Sequence, residues 1–228
     1  MSARFAYMPL STYPEPVTDS AILAAVKFAA ALGFELHVKA YSVDIPQMHS
    51  PLGGLLLDVP GLVREAEEKS KAECLRLKGL LEGSAEFLTR LHFSSREIRL
   101  SGALDAAATE ARYYDVSVLP WSGGTVLAQD MSEAVVFGSG RPAILVPTSA
   151  SPTRLEHFAI AWDASRVAAR ALGDALSLLP EGGLVSVLTV NDEKPLSGYD
   201  IAGSLASSLE GRGFKAKACS ISLGDKTI

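Results

Sequence analysis

The stretch that most restricts the fold is Phe158 to Val190. An apolar run, Phe158-Ala159-Ile160-Ala161-Trp162, stops at Asp163-Ala164-Ser165. A helical pattern follows, with Ala168, Ala171, Leu172, Ala175, Leu176 and Leu179 on one face, until Pro180-Glu181-Gly182-Gly183 breaks it. A second apolar run, Val185 to Val190, ends at Asn191-Asp192. Short apolar runs bounded by turn residues read as buried strands, and the periodic stretch between them as an amphipathic helix. Two strands joined this way form a βαβ unit, which commits the region to a parallel sheet covered by helices.

The unit has an earlier counterpart. Ser20 to Asp44 and Ser165 to Asp192 both hold a helix, a break, and a strand ending in Val-Asp or Val-Asn-Asp, and such a repeat decides the architecture. Strands are expected at Arg4–Pro9, Glu35–Val43, Ser95–Leu100, Asp115–Leu119 and Ala143–Val146. Helices are expected over Thr18–Leu32, Leu62–Leu81, Ala103–Tyr113 and Val126–Phe137, with Thr18 or Asp19 capping the first. Ala85 to Phe93 is ambiguous, with another helical turn as one reading. Glu65–Lys69 and Glu67–Lys71 stand four residues apart, which marks an exposed helix face. Asp44 to Pro60 is loop chemistry, with Pro46, Pro51, Gly53, Gly54 and Pro60. It reads either as a flap over a site or as a packed surface excursion.

Thr148 to Thr153 is a linker of small residues and the best domain boundary. The expected organisation is one domain over 1–149 and a second over 154–228. The second should run strand, helix, strand, helix (Gly198–Glu210) and strand (Phe214–Leu223), then stop at Gly224-Asp225 in mid-domain. Hydrophobic content of 48% and charged content of 21% suit a globular chain. A net charge of −5 without a Lys/Arg cluster argues against nucleic acid as a partner. The segment Ala21–Phe34 contains Lys27 and is too short to span a bilayer. The two thiols, Cys74 and Cys219, are far apart, and the N-terminus lacks a signal-peptide core; both point to the cytoplasm.

The order of elements, with a restart after Thr153, resembles a tandem universal stress protein. Ala161-Trp162-Asp163-Ala164-Ser165 is similar to that family's first-strand ending, and Asp115-Val116-Ser117-Val118-Leu119 to its fourth strand. Ser132-Glu133-Ala134 and Arg141-Pro142-Ala143-Ile144-Leu145-Val146-Pro147 resemble its last helix and last strand. The resemblance implies two flavodoxin-like open parallel sheets flanked by helices, of the adenine-nucleotide alpha-hydrolase-like type, the second sheet truncated. It also implies a stress-response or regulatory role, makes ATP the cofactor to look for, and suggests pairing through the last strand.

In family members that bind ATP, an acidic residue after the first strand and the end of the second strand hold the nucleoside. A glycine-rich loop after the fourth strand cradles the phosphates. The first half departs from this pattern. Its first strand ends Met8-Pro9-Leu10-Ser11 without a carboxylate. Gly123 matches one glycine, but Pro120 stands where another belongs, and Gln129-Asp130 replace the final Gly-Ser/Thr pair. An aspartate there repels a triphosphate. The second half keeps Asp163, Ser165 and Val190 as candidate nucleoside contacts, with a phosphate loop expected only beyond Ile228. Asp163 and Ser165 read equally as caps of the helix over Arg166–Leu179, and Trp162 as core.

Other chemistry finds little support. Phe137-Gly138-Ser139-Gly140 lacks the spacing of a nucleophile elbow. No Gly-x-Gly-x-x-Gly follows a strand. His37, His49, His92 and His157 are scattered without zinc spacing. Three functions remain: a non-enzymatic stress-response protein acting through protein contacts or its own pairing through Ala143–Val146; an ATP-binding switch with its site in a complete second domain; and a small-molecule-binding or hydrolytic relative.

Overall fold

The computed structural model describes residues 4–46, 58–83, 90–123, 125–151, 155–190 and 200–222. The chain divides into two compact units, Met1–Pro152 and Thr153–Ile228. Every strand pairing among the described residues is parallel.

In the first unit β1 (Phe5–Ser11), α1 (Asp19–Ala31), β2 (Glu35–Asp44), α2 (Val59–Glu82), β3 (Leu91–Arg99), α3 (Ala103–Ala111), β4 (Val116–Trp121), α4 (Val126–Gly138) and β5 (Ala143–Pro147) follow one another. The sheet order is β3-β2-β1-β4-β5. The chain steps outward from β1 to β3, then crosses back to β4. Right-handed crossovers place α1 and α2 on one face and α3 and α4 on the other. Arg76 of α2 grips Asp19 of α1 with both terminal nitrogens, at 2.9 and 2.7 Å. On the opposite face Ala107, Ala111, Met131 and Val135 pack with Tyr7, Tyr41 and Leu119. Covered on both sides, β1 is buried at every residue but Phe5.

The β1–β4 ladder is short, with Ala6↔Val116 and Tyr7↔Ser117 as its only rungs, whereas β1–β2 runs from Phe5↔Glu35 to Ser11↔Tyr41. Backbone alternation explains this. Arg4 and Thr12 bond to β2 through Glu35 N and Tyr41 O, so even-numbered β1 residues face β2 and odd ones face β4. Ser117 N donates to Pro142 O, so even-numbered β4 residues face β1. Pro9 and Pro120 therefore both point into the same gap. Neither carries an N–H, and the ladder stops.

The second unit runs β6 (His157–Ala161), α5 (Arg166–Leu176), β7 (Leu184–Val190), α6 (Ile201–Glu210) and β8 (Lys215–Ile221), with sheet order β6-β7-β8. Both crossovers step the same way, so both helices share one face. There Ile160, Val185 and Val187 pack against Leu172, Leu205 and Leu209, with Trp162 partly buried beside them.

Several boundaries differ from expectation. β3 begins at Leu91, so the end of the ambiguous Ala85–Phe93 stretch is strand, while 84–89 lie outside the described residues. Pro120 and Trp121, expected in a loop, complete β4. The Asp44–Pro60 loop falls mostly outside the described residues, and α2 starts at Val59, where the Asp58 carboxylate accepts from Gly61 N at 3.0 Å. Thr18 occupies the cap position of α1 without a side-chain cap bond. Glu65–Lys69 forms at 2.6 Å, but Glu67 and Lys71 turn away from each other. Lys71 pairs with Glu97 at 2.7 Å and Glu67 accepts from Ile45 N at 2.8 Å. Bonds to the neighbouring β2 and β3 win over a pairing along the helix. α5 ends at Leu176, ahead of the expected Leu179; Leu179 still packs in the core cluster.

Tyr7 and Tyr41 share a hydrogen bond of 2.7 Å between hydroxyls that are 0% exposed. Burial pushes the Tyr41 pKa up to about 12 and that of Tyr7 higher still, so both stay protonated at neutral pH. Tyr7→Phe should cost about 1–3 kcal/mol in urea denaturation, because the Tyr41 hydroxyl loses its partner. Adding Tyr41→Phe should cost less than the sum of the single changes. Additive losses would contradict a shared buried bond.

Candidate functional site

Ligands of open α/β sheets bind beyond the carboxyl ends of the strands, where the strand order reverses. In the first unit that point lies between β1 and β4, where the two prolines have ended the ladder. The crevice is lined by Pro9, Ser11, Leu119, Pro120, Leu127 and Met131 and measures about 20 Å³. Ligand pockets usually take roughly 300–1,000 Å³, so this one has room for about a single water.

The connection after β4 is equally tight. Only 122–125 separate β4 from α4. Gly123 sits there with φ +67°, exposed, in a backbone conformation that favours glycine. Ser122 Oγ is buried and has no hydrogen-bond partner among the described residues. Gln129 and Asp130, aligned with the end of a phosphate loop, are exposed residues of α4, where Gln129 Nε2 donates to Glu133 at 2.8 Å. The later part of the stretch aligned with such a loop, from Val126 on, is wound into the helix.

The end of β2 is held by the protein itself. Val43 N donates to Ser70 Oγ at 3.0 Å, and Thr12 Oγ1 donates to Tyr41 O at 2.9 Å. Thr12 has one proton, so the 2.6 Å contact between the two hydroxyls is a donation from Ser70 to Thr12. This relay ties α2 to the ends of β1 and β2.

In the second unit the β6–α5 corner carries the candidate nucleoside contacts. Asp163 Oδ1 accepts from Ser165 N at 2.9 Å, across Ala164 at φ +61°. Ser165 Oγ accepts from Ala168 N at 3.1 Å and is the cap of α5. Trp162 N donates to Leu188 O at 2.7 Å and Thr189 Oγ1 to Trp162 O at 2.9 Å. Asp163 follows β6 and the half-buried Val190 ends β7, the neighbouring parallel strand. Asp163, Ser165 and Val190 thus share one rim, while Gly123 belongs to the other unit.

Sequence spacing missed one cluster, at the opposite end of the first sheet. Glu35 and His37 lie on one face of β2, and His92 is the register partner of His37 on β3. The imidazoles stack with centroids 4.7 Å apart. His92 Nε2 is 2.8 Å from Glu35 Oε1, and His37 Nε2 is 3.6 Å from it. Burial, reinforced by the neighbouring His92, lowers the His37 pKa. The available signal was a carboxylate and an imidazole two residues apart in a strand. Its third member stayed hidden because Leu91–Phe93 did not read as strand.

No family model matches the chain, and no curated protein matches it. A crystal structure of a universal stress protein from Archaeoglobus fulgidus DSM 4304 superposes with a TM-score of 0.60 at 17% identity, over 95% of this chain and 76% of that one. This is the universal stress protein fold. A universal stress protein crystallised in complex with cAMP covers 65% of this chain and 100% of its own, at 20% identity and a TM-score of 0.32. In the first unit Ser11 ends β1, Thr12 follows it, and Pro120 lies within β4.

Ser165 serves the fold whatever else it does. Ser165→Ala should cost about 0.5–2 kcal/mol through loss of the cap, and Ser165→Asp should retain most of it. Denaturation followed by Trp162 fluorescence in a Trp121→Phe background reads this out. Equal losses for both substitutions would contradict the capping role.

Proposed function

We propose that the chain is a stress-response or regulatory protein of the universal stress protein type that acts through protein contacts, and that its first unit works without a nucleotide. The observation that carries this is the narrow switch point: the β1–β4 ladder ends before Pro9 and Pro120, and the crevice beyond, lined mostly by apolar side chains, measures only about 20 Å³. A triphosphate needs a cluster of inward N–H groups. Here two are missing from the prolines, and α4 takes up the later part of the stretch aligned with the loop.

Self-association belongs to the same proposal. β5 is the outermost strand of its sheet, and Leu145 on it is 41% exposed. A flat apolar edge with unpaired backbone groups favours pairing with a second copy along Ala143–Val146. Light scattering should report a homodimer that Leu145→Lys converts to monomer. A wild-type monomer at high concentration would contradict this.

A second reading is an ATP-binding switch in the second unit. It is favoured by the placement of Asp163 and Val190 at the carboxyl ends of the neighbouring parallel strands β6 and β7. Thermal unfolding with ATP and Mg²⁺ separates the two. The first reading predicts no rise in Tm. A ligand at about 100 times its Kd would raise it by roughly 5–10 °C. A rise abolished by Asp163→Ala would support the second reading, and one that survives this change would contradict the closed first unit.

A further inference from the structure

We propose that Glu35, His37 and His92 form a zinc site on the face of the first sheet, at the end opposite the switch point. The three ligand atoms all lie within 4.8 Å of one another. Zinc holds imidazole nitrogen and carboxylate oxygen at about 2.0–2.2 Å in tetrahedral sites, which separates neighbouring ligand atoms by about 3.3 Å. The Glu35 oxygen lies 2.8 Å from one imidazole nitrogen and 3.6 Å from the other, and closing on a common ion would require the exposed His92 ring to tilt out of its stack on His37.

An ordinary surface Glu–His pair explains the His92 contact, whereas His37 Nε2 reaches the same carboxylate only at 3.6 Å. His37 Nε2 is buried and has no hydrogen-bond partner among the described residues. A buried polar atom without a partner is costly, and structures rarely keep one idle. The ring is also pinned: Phe5 meets it edge-on at 5.5 Å, Tyr114 flanks it at 5.3 Å and His92 stacks on it. The nearby ammonium of Lys39 is paired with Glu110, so its charge is compensated.

The donor set selects the metal. Two imidazoles and one carboxylate suit zinc, whereas calcium and magnesium prefer all-oxygen shells. Three protein ligands leave a fourth position for water or an incoming group. The ligands come from two hydrogen-bonded strands, so binding would join the edge strand β3 to β2.

The test is calorimetric titration of the tag-free full chain with Zn²⁺ alone, accompanied by Co²⁺ absorption. One Zn²⁺ per chain is expected. His92→Gln and Glu35→Gln, both on partly exposed side chains, should each weaken binding by at least about tenfold and abolish the tetrahedral Co²⁺ bands, with far-ultraviolet dichroism unchanged. His37→Gln should do the same, and His157→Gln on the other unit should change nothing. No binding by the wild type, or binding that survives in the His37→Gln/His92→Gln double variant, would overturn the proposal.

Discussion

Two residues that cannot donate a backbone hydrogen bond, Pro9 and Pro120, lie on the neighbouring central strands β1 and β4 of the first sheet. Parallel strands are joined by evenly spaced bonds, and each lost N–H removes a rung. β1 keeps its full ladder with β2 and loses β4 after Tyr7. The strands part where an open α/β sheet normally receives its ligand. Leu119, Leu127 and Met131 line the small crevice left there.

The two sides of this rim are built differently. On one, the relay from Val43 through Ser70 and Thr12 to Tyr41 ties α2 to the ends of β1 and β2. On the other, α4 begins at Val126 and leaves only a short turn around Gly123. The second unit solves the same corner differently. Asp163 stands at the end of β6, its carboxylate organising the turn into α5, and no proline interrupts β6 or β7. The repeat visible in the sequence is thus a repeat of topology, with different chemistry at the two rims.

Much of the fold was legible from residues alone. The apolar runs at Phe158–Trp162 and Val185–Val190 are strands to within a residue, although α5 and α6 cover only one face of their sheet and β6 is exposed at His157, Ala159 and Ala161. Pro120 misled, since proline in a sequence reads as punctuation; its place inside β4 depends on a neighbour, β1, that carries a proline at the facing position. β3 was read short because its exposed edge alternates weakly, with His92, Ser94, Ser95 and Arg96 in place of an apolar run. That same strand hides the His37–His92 pair, which no linear spacing announces, because register between strands is set by the whole sheet. The absence of a carboxylate after Met8-Pro9 was plain from the start; that Leu127 and Met131 of α4 line the crevice beside Pro9 and Pro120 needed the packing.

The most direct measurement is methyl-resolved nuclear magnetic resonance of Leu119, Leu127 and Met131 during titration with ATP and Mg²⁺. If the switch point is closed, these methyl resonances stay in place to saturation of any site elsewhere in the chain. Saturable shifts at all three, with broadening at Ser11 and Gly123, would show that the crevice opens to a nucleotide and would contradict the account.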